Sequence, residues 1–112
     1  NEAAIDNDFS TFSTGVLLKG KKNEESNIEW LFTSRKEDIV SCVVKFKSKI
    51  DASAFRICVN GKQYEKQVVS NDNEWKTINI PLNNVLTGRE NLIQLEVLSG
   101  EIIVDWISMK SR

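Results

Sequence analysis

The stretch Val40-Ser41-Cys42-Val43-Val44-Lys45-Phe46-Lys47 decides the fold. Val40, Cys42, Val44 and Phe46 share one face, while Lys45 and Lys47 lie opposite beside Ser41 and Val43. A period of two marks a strand with one buried side, because successive side chains of an extended chain point in opposite directions. The same period recurs down the chain. Phe55, Ile57 and Val59 alternate with Arg56 and Cys58 and run into Asn60-Gly61, a pair that tolerates φ > 0 at both positions and closes a tight hairpin. Ile78, Ile80 and Leu82 alternate with Thr77 and Asn79, and Pro81 marks an edge or a strand end. Ile93, Leu95 and Val97 alternate with Gln94 and Glu96 as far as Ser99-Gly100. Residues 102–107 are nearly apolar throughout, as in a central strand covered on both sides. Polar turn clusters at 20–27, 49–53, 70–74 and 83–91 separate these runs.

Short strands between polar turns predict one all-β domain over residues 1–112, an antiparallel β-sandwich. Its predicted core holds Val40, Val44, Phe46, Phe55, Ile57, Val59, Ile78, Ile80, Ile93, Leu95 and Val97. A single helical turn at 86–90 is the one alternative to loop, and Gly88 weakens it. Trp30 belongs with Ile28 and Phe32 on a buried face, and Trp106 with Ile102 and Val104. Tyr64 follows the Asn60-Gly61 turn with no assigned place. Cys42 falls on the inward set of its strand and Cys58 opposite Phe55, Ile57 and Val59. Barring a bulge that shifts the register, the two side chains diverge, so two buried thiols are expected rather than a disulfide.

Composition removes most chemistry. In 112 residues, 15 Lys and Arg face 16 Asp and Glu, a net charge of −1, which lacks the basic excess that non-specific nucleic-acid binding needs. No apolar run exceeds three residues, so no segment reads as a membrane-spanning helix. No charged and apolar leader opens the chain, and its first residue is Asn, which together suggest a mature or excised piece of something longer. There is no histidine, which excludes His-based triads and His metal clusters. The two cysteines are too few for a four-ligand zinc site, and neither a phosphate-binding glycine loop nor a nucleophile elbow occurs. A binding function is expected ahead of an enzyme.

The order of segments is informative in itself. Ile5-Asp6-Asn7-Asp8-Phe9 and Ser13-Thr14-Gly15-Val16 open the chain, Asn60-Gly61 ends a strand, and Glu74-Trp75-Lys76-Thr77 begins the next. Leu86-Thr87-Gly88-Arg89-Glu90-Asn91-Leu92-Ile93-Gln94-Leu95 follows, and Ile103-Val104-Asp105-Trp106-Ile107 closes it. In that order and spacing the chain resembles the jelly-roll carbohydrate-binding modules of families 6 and 35, in the galactose-binding-like superfamily. The resemblance implies an extracellular, non-catalytic module, a monomer attached to the catalytic domain of a polysaccharide-degrading enzyme. It also implies that Trp75 stacks on a sugar ring. Independently of the family, Trp75 stands at a loop–strand junction, where its ring either packs inside the sandwich or projects from it with Asn71, Asp72 and Asn73 within reach of sugar hydroxyls.

Asp105 is out of place between Val104 and Trp106, because a buried carboxylate needs a partner. In the family the matching Asp joins two acidic residues of the first strand around a structural calcium. Asp6 and Asp8 hold those places here, each one methylene shorter than the family's Glu. Two departures bear on the sugar site. Where the family often has a ligand-binding Asn, two residues before the final Asp, this chain has Ile103. Where an acidic residue commonly follows the opening motif, Leu17, Leu18 and Lys19 stand. Lys19, Lys21 and Lys22 form a basic loop that either meets the carboxylates or sulfates of an acidic polysaccharide or is simply solvated, offset by Glu24 and Glu25. Two other functions compete. One is a structural or protein-interaction sandwich that binds no sugar. The other is a small enzyme built on a carboxylate pair, Asp72 with Glu74 or Asp6 with Asp8.

Overall fold

A computed structural model of the chain describes residues 4–5, 11–19, 27–33, 38–48, 50, 52–70 and 73–111. Ten strands follow one another: β1 (Ala4–Ile5), β2 (Thr11–Lys19), β3 (Asn27–Thr33), β4 (Ile39–Ser48), β5 (Ser53–Val59), β6 (Lys62–Gln63), β7 (Gln67–Val69), β8 (Lys76–Pro81), β9 (Glu90–Ser99) and β10 (Glu101–Ser111). They form two antiparallel sheets. The first runs β1-β2-β10-β4-β8, and the second runs β3-β9-β5-β6 with β7 also paired to β5. The fold is an all-β jelly-roll sandwich.

Alternation fills the space between the sheets. Val44 and Phe46 from the first sheet meet Phe55, Ile57, Ile93 and Leu95 from the second. The rings of Phe46 and Phe55 pack edge to face across the gap, 5.2 Å between centroids. Asn60 and Gly61 both adopt positive φ, 51° and 87°, and close the two-residue hairpin from β5 to β6. Pro81 ends β8 on the edge of the first sheet, where its missing N–H breaks no ladder. Both cysteines are free and buried. Burial pushes the Cys42 thiol up to about 12.

Three predicted core positions give way. Val40 and Ile78 are only half-buried: Val40 lies beyond the last β4 residue paired with β8, and Ile78 sits on an edge strand. The short exposed strands β6 and β7 carry too few residues to show any period. Residues 86–90 form a loop, as Gly88 suggested, and Gly88 has φ 73°. A fully buried Asn91 gathers that loop. Its amide oxygen accepts from Leu86 N at 2.8 Å, and its amide nitrogen donates to Leu86 O at 2.9 Å and Arg89 O at 3.1 Å.

The last of the three, Trp106, matters most for the surface. Trp106 is half-buried rather than core, because β10 bulges between Val104 and Trp106 against both neighbouring strands. The extra residue, Asp105, reverses the alternation, so Ile107 turns inward opposite Val44 and Trp106 turns outward beside Lys45.

Candidate functional site on the outer face of the first sheet

The outward side chains of β8, β4 and β10 make the site. Residues directly opposite in an antiparallel pair share a face. Thr77, Lys45 and Trp106 therefore form one row across the three strands, and Lys47 and Ile103 stand together in the next row along. Phe46 pairs with Lys76, so Trp75, one residue before β8, comes up beside Lys47.

Trp75 is the exposed aromatic of this face. It keeps 46% of its surface in solvent. The ammonium groups of Lys45 and Lys47 stand 5.7 and 5.6 Å from its ring centroid, within the range at which a cation is attracted to an aromatic face. This seating holds an indole at the rim of the sandwich without burying it. Lys45 has a second contact, its Nζ lying 3.5 Å from Asp105 Oδ2, with both side chains about one-third or more exposed. A pair so exposed contributes under about 1 kcal/mol and mainly positions Lys45. The premise of a buried Asp105 is thus corrected: the bulge turns its carboxylate toward solvent and a lysine.

The remaining expected site residues fall as follows. Asn73 adjoins Trp75 on an exposed, positive-φ position, at 57°. Lys19 is the last residue of β2, opposite Glu101, across β10 from β4. Asn71, Asp72, Lys21, Lys22, Asp6 and Asp8 lie outside the described residues. Asp105 is thus the only one of the three proposed calcium ligands whose surroundings are described. Lys45, Lys47 and Trp106 were not anticipated. The outward parity of both lysines was readable, but nothing in a linear pattern says which loop residue settles over them.

A second aromatic, Tyr64, lies at the other end of β8. Its hydroxyl is within hydrogen-bond distance of the side-chain oxygens of Asn83, at 3.0 Å, and of Asn84, and it accepts from Asn83 N at 2.9 Å. Lys62 Nζ donates to Asn83 Oδ1 and sits 5.0 Å from the Tyr64 ring. The hydroxyl is engaged within the fold and the ring has its own lysine. This cluster pins residues 83–84 to the β5–β6 hairpin.

With this geometry in place, comparison with known proteins is informative. No protein-family model and no curated protein sequence matches the chain. Solved structures do match. A family 35 carbohydrate-binding module from an environmental isolate superposes with TM-score 0.66 at 17% identity, over 89% of this chain and 85% of that one. The fold is that of the family 6 and family 35 carbohydrate-binding modules. The C-terminal family 6 module of LamC, a laminarinase from the marine Zobellia galactanivorans, superposes with TM-score 0.62 at 16% identity over 98% of this chain and 87% of that module. A family 26 β-(1,4)-mannanase of Podospora anserina that carries a family 35 module matches with TM-score 0.68 at 11% identity, over 91% of this chain but 27% of the longer protein. One of these modules is thus the C-terminal part of a laminarinase, and another is joined to a mannanase.

Proposed function

We propose that this domain is a non-catalytic carbohydrate-binding module that holds an attached polysaccharide-degrading enzyme against its glycan outside the cell. The observation that carries this reading is Trp75, a half-exposed indole fixed at the sandwich rim with Lys45 and Lys47 beside it. An indole offers a flat apolar surface to the C–H face of a pyranose, and the polar groups around it reach the hydroxyls. Neighbours Thr77 and Asn79 are exposed on the same side of β8, which extends the polar surface beyond the ring. Binding of this kind is modest in affinity, and its effect is local: a tethered module raises the effective concentration of substrate at the catalytic domain. The absence of any histidine in the chain favours binding over catalysis.

Two further elements of the proposal rest on residue chemistry. Calcium would be held by Asp105 with Asp6 and Asp8. These are hard carboxylate donors suited to that ion, and together they would tie the two ends of the chain. Asp105 already faces outward, where it could exchange Lys45 for a cation. A spacer or protein-interaction role is the second reading, favoured by one observation: Ile103, in the row of Lys47, gives a sugar nothing to hydrogen-bond.

Affinity electrophoresis through gels holding neutral, uronic or sulfated polysaccharides separates the two. The sugar reading expects retardation by at least one polymer, lost in Trp75→Ala while the fold is kept. Retardation by none, or an unfolded Trp75→Ala, transfers the case to the spacer.

A further inference from the structure

We propose that Asn60 is a site of spontaneous modification: it deamidates against Gly61 when the β5–β6 hairpin opens, and the product loosens the 83–91 loop irreversibly. Water is the only co-reactant. The Gly61 backbone nitrogen attacks Cγ of Asn60, so an N–C bond forms. The Cγ–Nδ2 bond breaks, and Nδ2 leaves as ammonia with the proton that Gly61 N gives up. Water then opens the cyclic imide at one of its two carbonyls, leaving either aspartate or isoaspartate.

Asn60-Gly61 is the chain's one Asn-Gly pair, and a glycine in second place leaves the attacking nitrogen with no side chain to shield it. Both residues are exposed at the hairpin tip, and nothing stands within 4 Å of where a Gly61 Cβ would be, so water and hydroxide reach the pair. Two features of the closed hairpin still keep it unreactive. Asn60 is left-handed, with φ 51°. A residue in that region has ψ near about +47°, which sets the next nitrogen almost opposite Cβ across the Cα–C bond and out of reach of Cγ. The side-chain amide is also gripped at both ends. Its Nδ2 donates to Asn91 Oδ1 at 2.9 Å and Asn84 O at 3.2 Å, and its Oδ1 accepts from Leu92 N at 2.9 Å. Asn60 N itself donates to Leu92 O at 2.9 Å. Swinging Cγ onto Gly61 N breaks this set, so the reaction follows the fraction of hairpin that is open.

The product cannot rebuild the contact. Aspartate has no N–H to give, and its carboxylate stands against two oxygens, Asn91 Oδ1 and Asn84 O. Asn91 cannot turn its amide round to meet it. The residue is fully buried, and its nitrogen already donates to Leu86 O at 2.9 Å, Arg89 O at 3.1 Å and Phe32 O at 3.3 Å. Asn91 Oδ1 thus loses the Asn60 donor, keeps that of Leu86 N, and gains a negative charge beside it. Isoaspartate does more. It lengthens the backbone of a two-residue turn by one carbon and upsets the pairing of Val59 with Lys62 and Cys58 with Gln63. Trp75 lies at the other end of β8, so the change falls on stability and not on the Trp75 face.

The test incubates the folded chain, and the same chain in guanidinium chloride, in mildly alkaline buffer. Tryptic peptide 57–62 carries the pair, and mass spectrometry separates its amide from its acid forms. Conversion at Asn60 is expected in both samples, at least about ten-fold slower in the folded one. Asn91→Ala, which frees Asn60 Nδ2, should close most of that gap. Gly100→Ala, which loosens the opposite end of β9, should leave the gap in place. Equal acceleration by the two variants would mean that only global unfolding exposes the pair, which overturns the local lock. The product is mimicked by Asn60→Asp, which should lower Tm by at least about 4 °C and by more than Asn60→Gly, a change that keeps the positive φ and brings no charge. This arm stands even if Asn91→Ala fails to fold. An unfolded chain that does not convert, a folded chain that converts equally fast, or an Asn60→Asp variant as stable as wild type overturns the proposal.

Discussion

Replacing Gly100 by alanine tests how the sandwich is closed beside the site. Gly100 joins β9 to β10 at φ 77°, a left-handed conformation that costs an L-residue about 1–2 kcal/mol. Space is the second cost. A Cβ at Gly100 would stand 2.7 Å from both Cα and Cβ of Ser53, too close for any real contact, so the backbone of β5 must move. Ser53 is fully buried and its hydroxyl is the hub of that corner. It donates to Ile50 O at 2.8 Å and accepts from Ser48 Oγ at 3.0 Å and Glu101 N at 3.2 Å. Disrupting two of these at about 1 kcal/mol each, with the strain, gives a loss of about 3–5 kcal/mol. At about 4 °C per kcal/mol for a domain of this length, Tm falls by about 12–20 °C. Gly61→Ala is the control, since Gly61 also has positive φ, 87°, but nothing lies within 4 Å of its would-be Cβ. It should lose only the conformational part, about 4–8 °C. Thermal unfolding followed by circular dichroism reads both. Equal losses in the two variants would refute the close approach of Gly100 to Ser53.

Three other outcomes are expected. Asn91→Ala strands the loop groups its buried amide now satisfies and should cost about 3 kcal/mol in urea unfolding; a loss below about 1 kcal/mol would mean the loop closes without it. Burial pushes the Cys42 thiol up to about 12 from an ordinary thiol value of 9.0, so the folded state holds its proton more tightly. That contribution is intact below pH 9 and fades as pH climbs toward 12, by up to about 1.4 kcal/mol per pH unit, and a Cys42→Ala variant should show a correspondingly shallower alkaline loss in urea midpoints. Calcium at about ten times the dissociation constant of a weak extracellular site should add about 1.4 kcal/mol and raise Tm accordingly, an effect absent in Asp105→Asn. Identical melting curves in calcium and in chelator would leave Asp105 to Lys45 alone.

The sandwich was legible because one face of each long strand is apolar: Phe46, Phe55, Ile93 and Leu95 stand where period two puts them. What escaped were events that break the period. One inserted residue at Asp105 turned Trp106 out and Ile107 in, and a bulge leaves no mark in an apolar run where either parity looks buried. Asn91 looked like a turn former and proved to be the buried anchor of a loop, since a lone polar residue gives no sign of how many backbone groups it will satisfy. The exposure of Trp75 was anticipated from its junction position together with the family resemblance, but the lysines near its ring were not, because the register between β4 and β8 is set by long-range packing.

The central claim is that a sugar stacks on Trp75, and the indole N–H resonances test it directly. The chain has three tryptophans, each assignable from a Trp→Phe variant: Trp30 buried in the core, Trp106 half-buried on the outer face, and Trp75 exposed at the rim. Titrating a ¹⁵N-labelled sample with oligosaccharides cut from whichever polysaccharide retards the protein should move the Trp75 indole signal in a saturable way and leave that of Trp30 in place. A Trp75 signal that stays fixed while the protein binds would contradict the account.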